Sequence, residues 1–132
     1  MPRDADPADA GEWLRRAQSS LCLAKQPRPE GVDWADLCYL AQQAAEKAIK
    51  AVYRYRNTAH RFTHSLGELA VGLEHTGLNI PQIVKNAVVL TRYAVETRYP
   101  TLAEPVTEEE YRQAAVLAEA VVEWARQVLA GR

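Results

Sequence analysis

The sequence predicts an all-α protein, an antiparallel four-helix bundle with one extra short helix. Apolar residues recur every three to four positions through four long segments, which is the spacing of one helix face. No segment alternates apolar and polar residues with the period of a strand. Much of the 48% hydrophobic content is Ala and Leu, which favour helix. At 132 residues the chain is expected to form one domain, residues 1–132, with about residues 1–8 flexible.

The first two helices are predicted from their apolar faces and from the breaks around them. The first runs from about residue 8 to residue 25 and turns Trp13 and Leu21 inward. Residues 26–31 end it, because they hold two prolines and a glycine. Asp33 is the expected N-cap of a second helix that reaches about Arg56. Its inward seam is alanine-rich, and Gln42, Gln43, Glu46, Lys47 and Lys50 are placed outside it; the seam consists of Ala41, Ala44, Ala45 and Ala48.

Capping signals define the remaining helices. Ser65 and Glu68 have the spacing of a capping box and open a short helix that ends near residue 76. A fourth helix starts at Pro81, where proline suits the first turn. Its predicted apolar stripe is Ile83, Val84, Ala87, Val88, Thr91 and Ala94. Thr107 and Glu110 form a second capping box, and the last helix follows it.

Composition narrows the kinds of function. Sixteen Lys and Arg against seventeen Asp and Glu give a net charge of −1, so a nucleic-acid site has to be a local patch. The chain has neither an apolar run of about 20 residues nor the apolar segment of a signal peptide, which predicts a cytoplasmic protein. Cys22 and Cys38 lie in separate helical patterns and are expected to be buried thiols. We expect no cofactor. We also expect no metal site, because the histidine pair with the four-residue spacing of metal ligands, His60 and His64, lies in a connector and not on a helix.

Three short motifs occur in a defined order along the chain. They are the helix QQAAEKAIKA at residues 42–51, the Thr63-His64 pair that follows it, and Arg98-Tyr99-Pro100 before the last helix. In this order they resemble the HEPN family of prokaryotic helical domains. The resemblance implies a bundle of four or five helices, a homodimer and binding of a nucleotide or RNA. It also implies a nucleotidyltransferase partner, with the two acting as a toxin–antitoxin pair.

A basic cluster is the first candidate site. Lys47, Lys50 and Arg54 share one face of the second helix, and positive charge continues just beyond it. Arg and Lys make charge-assisted bonds to phosphate oxygens, so this surface is a candidate for nucleotide or RNA binding. The alternative is a solvated helix face on which Glu46 pairs with Lys50. The candidate binding residues here are Lys50, Arg54, Arg56 and Arg61.

An Arg-His pair is the second candidate. Ribonucleolytic HEPN proteins carry Arg-x(4–6)-His, in which His acts as acid or base and Arg stabilises the charge on the phosphate, without a metal. Arg54 and His60 match this spacing, whereas His64 matches the Thr-His motif. The resemblance therefore implies Arg54, His60 and His64 as catalytic candidates. Some members continue the motif with a tyrosine that the partner modifies, but this chain has Phe62 at that position.

Arg98 and Tyr99 are the third candidate. Arg offers a fork of donors and Tyr a ring and a hydroxyl, which suit an anion or nucleotide. The structural alternative is that Arg98 pairs with a nearby Glu and Tyr99 closes the end of the bundle. We expect the segment 54–64 to lie close to these two residues.

The sequence leaves three hypotheses for the function. The leading one is a HEPN-like module that binds a nucleotide or RNA and acts with a nucleotidyltransferase. The alternative is a metal-independent ribonuclease with the same fold. The third is a bundle that only scaffolds its partner.

Overall fold

The computed structural model describes residues 7–60, 62–95 and 105–131, all of them in helices or connectors. This confirms the predicted helical bundle. Within these ranges seven helical segments follow one another: α1 (Pro7–Ala24), α2 (Trp34–Tyr55), α3 (Leu66–His75), α4 (Gln82–Asn86), a 3-10 helix (Ala87–Thr91), α5 (Arg92–Val95) and α6 (Glu108–Leu129). The boundaries of the long helices fall within one or two residues of those predicted.

The directions of the three long helices follow from contacts near their ends. Lys47 of α2 contacts Ser20 of α1, and Lys50 lies over the ring of Trp13, so α1 and α2 are antiparallel. Near their N-termini, α2 and α6 are joined by Trp34 and Tyr111, whose rings stack with centroids 5.0 Å apart. These two helices therefore run in the same direction, as alternate helices of an up-and-down bundle do. Helix α2 also contacts α3, the 3-10 helix and α5, and is the central element.

The predicted alanine seam forms the middle of the core. All four of its alanines are 0% exposed, and the core continues with Ile49 and Val52 of α2 and Val121 of α6. Small side chains let neighbouring helices approach closely, so the seam explains why α2 can pack against both α1 and α6. Helix α6 starts at the predicted capping box, in which Thr107 Oγ1 accepts from Glu110 N and Thr107 N donates to Glu110 Oε1.

The fourth helix of the bundle differs from the prediction. Instead of one α-helix it consists of α4, the 3-10 helix and α5. A 3-10 helix has three residues per turn, so every third residue faces the core. The residues with this period are buried: Val84, Ala87, Leu90 and Tyr93. Ile83 and Val88 were predicted to be buried and are 44% exposed; Val88 lies in the 3-10 helix, where the α-helical period does not hold.

Helix α3 packs onto the end of α2 through a close backbone contact. Tyr53 Oη donates to the carbonyl oxygen of Leu69 at 2.7 Å. A Cβ atom on Gly72 would lie 2.1 Å from the same hydroxyl. Glycine at position 72 is therefore required for this contact.

The two thiols lie in different environments. Cys38 is buried, as predicted, whereas Cys22 is exposed and that prediction was wrong. Cys22 lies on the outer side of α1, next to the core-facing Leu21. No helix in the described part of the chain is both long enough and apolar enough to span a bilayer.

Candidate functional site

Glu46 is a carboxylate inside the bundle, with only 4% of the residue exposed. Gln42, Glu46 and Lys50 are spaced by four residues, which stacks their side chains along one face of α2. Lys50 Nζ donates to Glu46 Oε2 at 2.8 Å, and Gln42 Nε2 donates to Glu46 Oε1 at 3.0 Å. Gln43 Nε2 in turn donates to Gln42 Oε1 at 2.8 Å, which orients the Gln42 amide toward the carboxylate.

His64 completes this group from the connector after α2. Its Nδ1 lies 2.8 Å from Glu46 Oε1, while 61% of its side chain is exposed. An ionised carboxylate only accepts hydrogen bonds, so Nδ1 carries the proton in this contact. Within the described residues no group bonds to Nε2, the second ring nitrogen. We call Gln42, Glu46, Lys50 and His64 the Glu46 cluster.

The connector is shaped so that His64 reaches Glu46. Asn57 has a φ of 56°, a left-handed conformation that asparagine tolerates better than most residues. Thr58 N then donates to the carbonyl oxygen of Tyr53, which turns the chain back after α2. At the other end, Ser65 caps α3 by accepting from Glu68 N. His64 is therefore fixed between a reversed helix end and a capped helix start.

Glu46 is negatively charged at neutral pH. Burial alone raises the pKa of its carboxyl group, because a charge is poorly solvated inside a protein. Hydrogen bonds from Lys50, Gln42 and His64 outweigh burial, and the pKa is lowered below its ordinary value. The Lys50 ammonium group balances this charge, since only 13% of the lysine side chain is exposed.

A pocket adjoins the Glu46 cluster on the side of α1. Lys50 Nζ lies 5.7 Å from the centre of the Trp13 ring. Trp13 lines a pocket of about 280 Å³, and Arg54, one helical turn beyond Lys50, lines it too. The buried Arg54 Nε has no hydrogen-bond partner in the part of the chain that is described. We call this site the Trp13 pocket; its lining residues are Asp9, Glu12, Trp13, Arg16 and Arg54.

The other predicted site residues are positioned separately. Arg56 Nη2 donates to the carbonyl oxygen of Thr76 at 3.0 Å, which ties α2 to the end of α3. The His60 ring packs edge-on against Tyr53, with centroids 5.7 Å apart. Arg61, Arg98 and Tyr99 lie outside the described residues, as does their expected approach to the segment 54–64. Of the predicted residues, the structure thus brings together Lys50 and His64 at Glu46, and Arg54 lies one helical turn beyond Lys50 in the Trp13 pocket.

A second pocket of about 470 Å³ lies between the end of α2 and α3. Tyr53, Leu69 and Val71 give it apolar walls, and Thr58 and Thr63 are polar. Thr63 Oγ1 is already used, since it accepts from Ser65 N. This pocket contains neither Lys50 nor Arg54 and is separate from the Trp13 pocket.

Sequence reasoning missed Glu46 and Gln42 as site residues and placed them outside the apolar seam. They are buried because the alanines beside them leave room for long side chains to lie inside the bundle. The available signal was the Gln-Glu-Lys spacing of four residues directly beside a seam of small residues. The predicted Glu46–Lys50 pair does form, but inside the protein and not on a solvated face.

The comparisons with known proteins identify the family. The model of the HEPN domain matches residues 10–128, which is most of the chain. The chain belongs to the HEPN domain family. A search of curated proteins gives no match.

Two solved structures have the same fold as this HEPN domain. The crystal structure of TT1696 from Thermus thermophilus is 31% identical, covers 89% of this chain and 96% of its own, and has a TM-score of 0.79. The crystal structure of ST0689, an archaeal HEPN homologue, is 23% identical, covers 98% and 99% of the two chains, and has a TM-score of 0.73. The sequence motifs therefore identified the family correctly.

Proposed function

We propose that this HEPN domain binds the phosphate of a nucleotide or of RNA at the Glu46 cluster and the adjoining Arg54. The observation that carries the proposal is the exposed His64 ring on a buried, ionised carboxylate. Burying a charge is costly even when it is paired, so packing alone does not account for Glu46. Its carboxylate fixes an imidazole at the surface, and Arg54, two helical turns beyond Glu46 on α2, supplies a guanidinium group suited to an anion.

Within this site, His64 and Arg54 are the proposed anion contacts; His64 donates through Nε2 in its imidazolium form, because the Nδ1 N–H is used by Glu46. Lys50 is engaged by Glu46, so its charge is largely balanced and its main role is to hold the carboxylate. Arg56 supports the end of α2 through Thr76 and is a weaker candidate for a phosphate contact. Arg61, Arg98 and Tyr99 remain part of the proposal on the strength of their sequence motifs.

The test is the salt dependence of RNA binding. Each phosphate contact that is lost lowers the slope of log affinity against log salt by about one unit. Arg54→Ala should lower it by that amount, and His64→Ala should weaken binding of a short single-stranded RNA. Arg126→Ala is the matched control, because Arg126 is exposed and paired with Glu123 and its removal changes the net charge equally. Unchanged isotherms for both site variants would refute the proposal.

A second candidate function is metal-independent ribonuclease activity, and the contact between Glu46 and His64 favours it. A carboxylate on Nδ1 fixes the tautomer and leaves Nε2 able to take a proton. In this reaction the imidazole takes the proton of a 2′-hydroxyl, the 2′-oxygen bonds to phosphorus, the bond from phosphorus to the 5′-oxygen breaks, and the imidazolium returns the proton to the 5′-oxygen. Arg54 would stabilise the charge on the phosphate.

Cleavage assays separate the two candidates. An active ribonuclease should cleave RNA in the presence of EDTA and leave a 2′,3′-cyclic phosphate at the cut. The substitution His64→Ala should lower the cleavage rate by about 10²- to 10⁴-fold. His60→Ala is the informative comparison, because His60 has the motif spacing but packs against Tyr53. Purified protein that binds RNA and leaves it intact would favour the binding module.

We also propose the biological setting that membership of the family suggests. The domain would act in the cytoplasm as a homodimer, together with a nucleotidyltransferase, in a toxin–antitoxin pair. A small nucleotidyltransferase encoded beside this chain, and co-elution of the two proteins after co-expression, would support the pairing. A monomer in size-exclusion chromatography with light scattering would contradict the homodimer.

A further inference from the structure

We infer that the Trp13 pocket receives an unpaired nucleobase, which stacks on the indole ring of Trp13. The inference rests on the proposed function, which it extends from the phosphate to the base. Trp13 was predicted to face the core, but it is only partly buried and lines a pocket on the surface of the bundle. A large aromatic ring at such a position offers a stacking surface, which single-stranded nucleic-acid sites use in combination with basic residues.

The Trp13 ring lies close enough to the proposed phosphate site for one ligand molecule to contact both. Arg54 lines the Trp13 pocket, and Lys50 lies over the Trp13 ring and bonds to Glu46. The indole and the guanidinium group therefore line one surface across α1 and α2, and Lys50 joins this surface to the buried Glu46. A nucleotide carries its base and its phosphate on one sugar, so this surface can bind both at once.

The acidic residues of the pocket indicate which part of the ligand enters it. Asp9 and Glu12 both line the pocket, and Glu12 accepts from Arg15 and Arg16. Hydrogen bonds from these two arginines lower the pKa of Glu12 to about 2, so the carboxylate is charged at neutral pH. Two arginines, Arg16 and Arg54, balance these carboxylates in the lining, and with Arg54 assigned to the phosphate, Asp9 and Glu12 can accept from the amino and ring N–H groups of a base. The base therefore suits the pocket better than a second phosphate does.

Stacking on Trp13 determines which forms of nucleic acid can bind in the pocket. A base can lie against Trp13 only if it has left its own stack and has no complementary strand, because a duplex buries both faces of each base. The ligand class is thus a free nucleotide or a single-stranded segment of RNA. The two sources share the same chemistry at the pocket, and direct binding measurements distinguish them.

The experiment compares three ligands at fixed salt: a short single-stranded RNA, an abasic ribose-phosphate chain of equal length, and the RNA as a duplex. Trp13→Ala should weaken binding of the single strand about tenfold or more, the usual effect of losing one stacking partner. Trp13→Phe should keep most of the affinity because a ring remains. Abasic-chain affinity and the salt slope should not change in either variant, and the wild type should prefer the single strand to the duplex.

Trp34→Ala is the matched control. Trp34 is also partly buried, but it stacks on Tyr111 near the N-termini of α2 and α6. Circular dichroism establishes that each variant is folded, and Trp13→Phe keeps the test valid if Trp13→Ala does not fold. Adenosine monophosphate is titrated against indole fluorescence in each variant. If it quenches the fluorescence of Trp34→Ala but not that of Trp13→Phe, a free nucleotide is a ligand. Quenching by the RNA alone would identify the polymer.

Failure of the inference is distinguishable from failure of the proposed function. If Trp13→Ala binds the single strand like the wild type, while Arg54→Ala lowers the salt slope, the stacking site is refuted and the phosphate site stands. If the wild type binds neither the single strand nor the abasic chain nor the mononucleotide, both proposals are overturned.

Discussion

Glu46 links the stability of the protein to pH, because it is an ionised side chain inside the bundle. Its pKa in the folded protein is lowered below its ordinary value of 4.5, despite the opposing effect of burial. A group of this kind contributes stability above its pKa in the unfolded chain. The contribution is lost as the pH falls through the lower pKa of the folded state. Acid should therefore weaken the fold partly through this one residue.

The corresponding prediction concerns Glu46→Gln. At neutral pH the variant should lose about 3 kcal/mol in free energy of unfolding, because Lys50 is left without its buried partner. The difference from the wild type should narrow as the pH falls below 4.5, where the unfolded chain becomes protonated, and disappear below the lower pKa of the folded state, where the native carboxylate is protonated too. Urea unfolding at a series of pH values measures both effects.

Glu119→Gln serves as the control for that experiment. Glu119 also pairs with a lysine, Lys25, but both side chains are about half exposed. A surface pair of this kind contributes about 0–1 kcal/mol. Equal losses in the two variants, or a Glu46→Gln difference that does not depend on pH, would show that the buried network does not act as described.

The two thiols should differ strongly in reactivity. Burial raises the pKa of Cys38 to about 11, while Cys22 is exposed on α1. Since the thiolate is the reactive form, iodoacetamide at about pH 8 should alkylate Cys22 and leave Cys38 intact in the folded protein. Mass spectrometry should show one added group before denaturation and two after it. Cys22→Ser should abolish the native-state reaction, and rapid labelling of that variant would contradict the prediction.

At the level of elements, the contact between α3 and α2 depends on Gly72. Alanine normally favours a helix interior by about 1 kcal/mol over glycine. At position 72 its Cβ would lie 2.1 Å from Tyr53 Oη, so the substitution must displace the hydroxyl or the helix. Steric conflict should therefore outweigh helix propensity.

We predict that Gly72→Ala lowers the free energy of unfolding by about 1–3 kcal/mol, the usual cost of overpacking. In a Tyr53→Phe background the sign should reverse, because the nearest remaining ring atom, Cζ, is 3.4 Å away. Chemical denaturation of the four proteins measures this coupling. Gly11→Ala in α1 is the control and should stabilise, since nothing lies within 4 Å of its added Cβ. Additive effects at positions 53 and 72 would argue against the close contact.

Sequence reasoning predicted the elements better than the site. Caps and breakers are local signals, and Thr107, Ser65 and the prolines before α2 gave helix boundaries that the structure confirms. The 3-10 helix was missed because the buried Val84, Ala87 and Ala94 also fit an α-helical stripe, which leaves out the buried Leu90. The Glu46 cluster was missed because it depends on a residue 18 positions away, His64, whose approach is set by the fold of the connector.

At the scale of the whole molecule, α1 and α2 must keep a fixed separation for the site to exist. Trp13 comes from α1, whereas Lys50 and Arg54 come from α2. Ala17 is 0% exposed and belongs to the core between the helices. A larger side chain there would force the two helices apart or distort their packing.

Ala17→Leu should therefore lower the free energy of unfolding by about 1–3 kcal/mol and weaken RNA binding, although residue 17 does not line the pocket. Gln18→Leu adds an apolar side chain at the neighbouring exposed position and should change stability by less than about 0.5 kcal/mol. Urea denaturation and RNA titration of both variants test this. Wild-type affinity in a destabilised Ala17→Leu protein would mean that the site does not need the native spacing of the helices.

The origin of the site in two helices and a connector also determines how a ligand would act on folding. Unfolding separates Trp13, Arg54 and His64, so a molecule that contacts all three binds the folded chain and not the unfolded one. By mass action, such a ligand at about 100 times its dissociation constant adds about 2.7 kcal/mol to the free energy of unfolding. The melting temperature thus becomes a direct readout of occupancy, and a thermal-shift screen of nucleotides and short RNAs can identify the natural ligand without an activity assay.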